Sequence, residues 1–163
     1  MTTWPGWSND NTLLLPLADA PPTKGFDFDG RHFDAKKELH VTLVGRALGA
    51  ELRRAFGERL DVATRPAFEA LDWSCERTGQ HRLIERADTG GDGERGTVAS
   101  VIELVHLPAL DWYYRWLGDL VGRQLAVPPA HVTLYTHGKT RGIGIPTARS
   151  LRAWSRGAVP IPA

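Results

Sequence analysis

Apolar and polar positions along the chain divide it into short alternating runs and two longer stretches of helical spacing. Thr12 to Leu17 is a compact apolar run closed by Ala20-Pro21-Pro22, which predicts a strand and a break. Gly25 to Phe33 alternates aromatic and polar residues around Asp29-Gly30, a hairpin signal. Glu38 to Gly45 predicts a strand, and apolar residues at 52, 55, 56 and 60 predict a helix from Ala50 to Leu60. Pro66 is placed to open a second short helix through Leu71. Leu71–Arg77 and His81–Arg86 read as two strands joined around Thr78-Gly79-Gln80, and Asp88 to Gly96, with four glycines, as a mobile loop. Thr97 to Leu107 has the β-branched character of a central strand. Pro108 opens a helix to about Leu125, with apolar residues at 110, 113, 114, 117, 120, 121 and 125 forming one core-facing stripe. After Pro128-Pro129 a further strand begins at His131, and Thr147 is a candidate cap for a short basic helix to Arg156. Residues 1–12 read as a loose arm and 157–163 as a Pro-rich tail. Strands mixed with helices predict a single α+β domain over residues 1–163.

Within this pattern one tetrapeptide occurs twice. His40-Val41-Thr42-Leu43 returns as His131-Val132-Thr133-Leu134, 91 residues on, in a chain with six histidines. Ordinary strand preference accounts for Val-Thr-Leu but not for the repeated histidine. Successive strand side chains point to opposite faces, so His40 shares a face with Thr42, and His131 with Thr133. Each copy offers an imidazole and a hydroxyl over an apolar backing. Two such strands brought together would supply a proton acceptor, a proton donor and hydroxyls able to hold a phosphate. That chemistry cleaves a phosphodiester without a metal. Tyr135 and His137 continue the same parity if the strand stays regular, which would place Tyr135 at the cleft. The loop from Gly138 to Gly144 is basic and glycine-rich, and Lys139 and Arg141 are candidate phosphate contacts.

Composition narrows the setting. The 163 residues are 42% hydrophobic and 24% charged, the balance of a globular domain. A lone Cys75 excludes an intrachain disulfide and suits a reducing compartment; with no base nearby in sequence it is a weak candidate nucleophile. No apolar run approaches the roughly 18 residues of a membrane span, and the start lacks a signal-peptide pattern, so a cytoplasmic location is expected. The net charge of +1 is uneven. Residues 120–163 carry Arg123, Lys139, Arg141, Arg149, Arg152 and Arg156 and no acid, whereas residues 1–119 hold 14 basic and 19 acidic side chains, a net of −5. The basic end suits an anionic substrate; the balance is too mild for coating long nucleic acid. No Gly-Lys-Ser/Thr follows the glycines at 88–96, so no P-loop is present there. His32, His81 and His106 read as surface or structural residues.

The paired H-x-T motifs resemble those of the 2H phosphoesterase superfamily, which includes 2′-5′ RNA ligase-like proteins and cyclic nucleotide phosphodiesterases. The stretches Tyr135-Thr136-His137-Gly138 and Gly142-Ile143-Gly144 resemble small bacterial branches associated with RNA repair. The resemblance implies a bilobal, pseudo-twofold fold with two small antiparallel sheets around a central cleft and flanking helices. It implies His40 and His131 as catalytic acid and base, exchanging roles between forward and reverse reactions. Thr42, Thr133, Tyr135, Lys139 and Arg141 would then bind a nucleotide or an RNA end carrying a 2′,3′-cyclic phosphate, in hydrolysis or ligation. No cofactor, metal, membrane or obligate protein partner is expected, and a monomer is favoured. A metal site is the weakest option, because each motif supplies one ligand and no carboxylate or Cys recurs at ligand spacing. A nucleotide-binding or sensing module using the same cleft without turnover is the alternative.

Overall fold

The computed structural model describes residues 2–87 and 96–162. All but Gly96 of the loop expected at Asp88–Gly96 therefore lies outside the described residues. In chain order the strands are β1 (Leu13–Pro16), β2 (Phe26–Phe28), β3 (Arg31–Ala35), β4 (His40–Val44), β5 (Glu76–Ala87), β6 (Thr97–His106), β7 (His131–His137) and β8 (Ser155–Ala158). The helices are α1 (Arg46–Phe56), α2 (Leu60–Glu69), α3 (Ala109–Val121) and α4 (Ala148–Trp154), with a 3-10 turn at Gly57–Arg59. The fold is α+β with an antiparallel sheet.

The sheet runs β1-β4-β7-β6-β5-β8, every pairing antiparallel. β7 is its centre. One edge of β7 pairs with β6; the other is shared by β4, at Val41–Val132, and by β3, at Asp34–Thr136 and Ala35–Tyr135. Where two small sheets are expected from the resemblance, the strands thus form one continuous sheet. It is joined at its middle because the chain leaves β3, makes a short excursion and re-enters the same edge of β7 as β4.

One face carries the main core. Val41, Leu43, Val101, Val132 and Leu134 of the sheet pack with Leu52 of α1, Leu60 and Phe68 of α2, and Leu110, Tyr113, Tyr114 and Leu117 of α3. The i, i+3, i+4, i+7 spacing of the α3 positions delivers the stripe expected of that segment. Each fully buried Leu or Phe removes apolar surface worth ~1.5–3 kcal/mol. Tyr114 also donates its hydroxyl to the Leu43 carbonyl of β4 at 2.7 Å, fixing α3 over the first motif strand. The opposite face has a smaller cluster, in which Ile143, Ile145, Leu151 and Trp154 cover Ile84, Val98 and Ile102.

Four local expectations are corrected. Pro66 lies inside α2 instead of opening a helix, and its missing N–H leaves a gap in the ladder. Carbonyls beside that gap accept outside donors: Ala63 from Trp116 Nε1 at 3.2 Å, Thr64 from the Tyr113 hydroxyl at 3.1 Å. The two strands expected at 71–77 and 81–86 are one strand, β5, whose register shifts between Arg77 and His81. Gly79 stands in that shift at φ +73°, so the glycine marks a bulge and not a turn. The N-terminal segment is held, because Trp7 Nε1 donates to Thr64 Oγ1 at 3.0 Å and Trp4 meets Phe68 edge-on at 5.2 Å. The tail begins later than expected: Ser155–Ala158 pairs with β5, and Val159 is buried. The Asp29-Gly30 hairpin stands as read, both residues having positive φ (52° and 72°), as a tight two-residue turn requires.

Candidate functional site

The two repeated tripeptides are paired with each other. β4 and β7 meet antiparallel with Val41 opposite Val132, which places His40 beside Thr133 and Thr42 beside His131. The motifs are thus related by a local twofold axis through the valine pair. Both valines are fully buried against the helices. Strand alternation therefore turns His40, Thr42, His131 and Thr133 onto the other face, where all four are half-buried. Pairing with β1 sets Leu14 beside Thr42 and Pro16 beside His40; pairing with β6 sets Leu104 beside His131 and Ile102 beside Thr133. Two imidazoles and two hydroxyls stand together between apolar rails.

Those surroundings act on the histidines. Burial pushes the His40 imidazole below its ordinary pKa, the Lys36 ammonium adds to the effect and Glu38 partly opposes it. His131 is also pushed down, first by burial and then by His40, while its hydrogen bond to the Pro129 carbonyl works the other way. That bond, 2.9 Å from Nδ1, has a carbonyl as acceptor, so Nδ1 carries the proton. The neutral ring then presents the Nε2 lone pair. Position 129 is set by the Pro128-Pro129 stop, so the same residues that end the preceding segment orient this ring.

The chain matches no protein-family model, no curated protein and no solved structure. Its chemistry is therefore read from its own geometry.

The structure does not bring every candidate together. Tyr135 leaves the group, because β7 takes an extra residue at Leu134: Thr133 pairs with Ile102, but Tyr135 with Val101. The bulge turns Tyr135 to the opposite face, where it is buried with its ring edge-on to Phe26 at 4.7 Å. The expectation that Tyr135 lines the cleft rested on a regular strand and is corrected. His137 ends β7 and donates from Nδ1 to the His32 carbonyl at 2.8 Å. Lys139 and Arg141 line a cavity of about 460 Å³ beside the motif face, and no motif side chain lines it. The link between the two is Gly142, in the cavity wall: a Cβ there would lie 2.7 Å from Thr133 Oγ1. The loop is tethered across this region by Lys36 Nζ donating to the Thr140 carbonyl at 3.0 Å and by Arg141 pairing with Asp10 at 3.3 Å.

Sequence reasoning missed Asp10, Lys36, Arg46 and Arg86. Asp10 also holds Arg46 at 3.1 Å. Its carboxyl is kept below the usual range by hydrogen bonds from Ser8 and Thr12 and, after a small opposing effect of burial, by Arg46. Arg46, directly after the motif strand, was the one with a positional signal; the others become neighbours only through the tertiary fold.

His81 and Cys75 sit outside this group. His81, read as a surface or structural residue, is mostly buried, with Nε2 2.8 Å from Glu103. Arg77 grips the same carboxylate at 2.7 and 2.9 Å. Burial raises the Glu103 pKa, but hydrogen bonds from Arg77 and His81 outweigh it and hold the carboxyl low. Burial raises the Cys75 thiol, with Asp19 adding to the effect, which makes it a poor nucleophile. Among the described residues no group of three or more His, Cys, Asp or Glu is placed to hold a metal ion, and no helix is long and apolar enough to cross a membrane.

Proposed function

We propose that this chain is a metal-independent phosphodiesterase of 2H type, acting on a 2′,3′-cyclic phosphate or a related RNA or nucleotide end. The observation that carries the reading is the antiparallel pairing of the two H-x-T motifs about Val41–Val132, which puts both histidines and both threonines on one face. Binding alone needs no such pair of proton-transfer groups.

In the free protein the depressed pKa values favour neutral rings near pH 7. An arriving phosphodiester anion raises the affinity of a neighbouring imidazole for a proton, so one ring becomes the acid while the other remains the base. Thr42 and Thr133 donate to the non-bridging oxygens. The base takes a proton from water as the water oxygen bonds to phosphorus. The bond to one ribose oxygen breaks, and the acid gives that oxygen its proton. His131 works through Nε2 in either role, its Nδ1 proton being committed to Pro129.

The test is turnover by chelator-treated protein of 2′,3′-cyclic nucleotides and cyclic-phosphate-ended oligoribonucleotides. Conversion to 2′- or 3′-phosphates is expected, with His40→Ala and His131→Ala each losing at least about 10²-fold in rate while remaining folded. Losses of only a few-fold in both variants sink the assignment. Tight binding that depends on both histidines, without product, would instead mark a sensing module.

A further inference from the structure

The cavity beside the motif face is lined by Arg46, Arg86, Val98 and residues 139–143. Among the described lining residues four of eight, Arg46, Arg86, Lys139 and Arg141, are cationic, and none is acidic. They come from the start of α1, from β5 and from the loop after β7, so the fold and not a local basic run assembles the cluster. Asp10 engages both Arg46 and Arg141, and one carboxylate cannot neutralise two guanidiniums. It aligns them instead. Arg86 is held in place by a cation–π contact, its Cζ 5.4 Å from the centre of the Trp154 ring. Guanidinium forks match the oxygens of a phosphate group. At about 460 Å³ the space exceeds a single phosphate and is within the ~300–1,000 Å³ range of small-ligand pockets.

The cavity and the motif face share a thin wall. Gly142 borders the cavity, and a Cβ on it would lie 2.7 Å from Thr133 Oγ1. We infer that this cavity is a second phosphate site, taking a phosphate group of the substrate other than the one cleaved at the motif face. Anion binding there stands on the lining alone; the substrate class, a nucleotide or oligonucleotide with at least two phosphate groups, rests on the phosphodiesterase reading.

Two measurements on the full chain separate these claims. The first titrates inorganic pyrophosphate calorimetrically into wild type, the His40→Ala/His131→Ala variant, and that variant carrying Arg86→Gln or Arg46→Gln. Binding should persist without the histidines and weaken about tenfold or more with each arginine substitution. No binding to the histidine variant, or binding there that neither arginine substitution weakens, overturns the site. The second compares kcat/KM for adenosine 2′,3′-cyclic phosphate with that for its 5′-phosphorylated form and for a dinucleotide ending in the cyclic phosphate. A form with a second phosphate should be preferred by about tenfold or more, and Arg86→Gln and Arg46→Gln should each bring the ratio toward one. Equal turnover of all three by wild type overturns the substrate class. Turnover of none, with pyrophosphate still bound through the arginines, leaves the anion site standing and removes the catalytic reading.

Discussion

Gly142→Ala and Gly144→Ala form a matched pair two residues apart in the same loop. A Cβ at position 142 would meet Thr133 Oγ1 at 2.7 Å and its Cβ and Cγ2 at 3.3 Å; one at 144 would meet nothing within 4 Å. Neither glycine has a positive φ, so alanine is acceptable to the backbone at both. Both substitutions restrict the unfolded chain alike, a gain of ~0.4–1 kcal/mol. Only the one at 142 adds a clash, against a short β-branched side chain with little room to yield, at a cost of ~1–3 kcal/mol. The unfolded-state gain cancels in the comparison. The two variants should therefore differ by ~1–3 kcal/mol, which for a chain of this length is roughly 2–12 °C in Tm, with Gly144→Ala the more stable. The clash has a named partner, so Thr133→Ala should remove most of the 142 penalty, giving a coupling of at least ~0.5 kcal/mol in a double-mutant cycle. On the proposed function, Thr133 displaced by up to an ångström should also cost kcat/KM up to about 10²-fold. Equal melting temperatures for the two single variants, or an unchanged penalty in the Thr133→Ala background, would refute the placement of this loop against the second motif.

On the proposed function, kcat/KM follows the free protein, and with both histidines held below 6.5 its pH optimum should fall below about 6.5. Lys36→Met should move the His40 limb upward and Glu38→Gln downward; limbs that stay put would contradict the electrostatic reading. The same depression fixes a sign for stability. The unfolded chain takes up these protons first, so folding stability contributed by His131 is present above about pH 6.5 and is lost as pH falls toward the folded value. Urea titrations between pH 7.5 and 5 should show this slope, reduced in His131→Ala. Glu103→Ala should cost ~2–4 kcal/mol, somewhat less than a fully buried pair because Arg77 is partly exposed, and urea unfolding measures it directly.

The repeated motif, the Asp29-Gly30 hairpin and the α3 stripe were legible because each signal is local: a tetrapeptide, a dipeptide, a helical spacing. The failures share a different cause. Tyr135 was misplaced by a one-residue bulge at Leu134, and β5 was split in two by a bulge at Gly79; both are properties of a pairing partner that sequence parity does not contain. Ser155-Arg156-Gly157-Ala158 carries no strand signal and becomes β8 because β5 offers it an edge. Arg86 joins Arg141 only through the register of β5, β6 and β7.

The valine pair that joins the motifs also governs when the candidate site can come into being. Val41 and Val132 are 91 residues apart, and closing a flexible loop of that length costs roughly 4 kcal/mol in chain entropy before any contact offsets it. β3 and β1 cannot substitute for this closure, since neither carries the second histidine. During synthesis, the first motif therefore waits as an incomplete strand until residues beyond 132 leave the ribosome. Contacts of such high sequence separation also slow folding. The histidine pair should accordingly be among the last features to form during refolding, so that recovery of any turnover follows the return of the whole sheet, and a nick between the motifs that lets the halves part abolishes the site without removing either histidine.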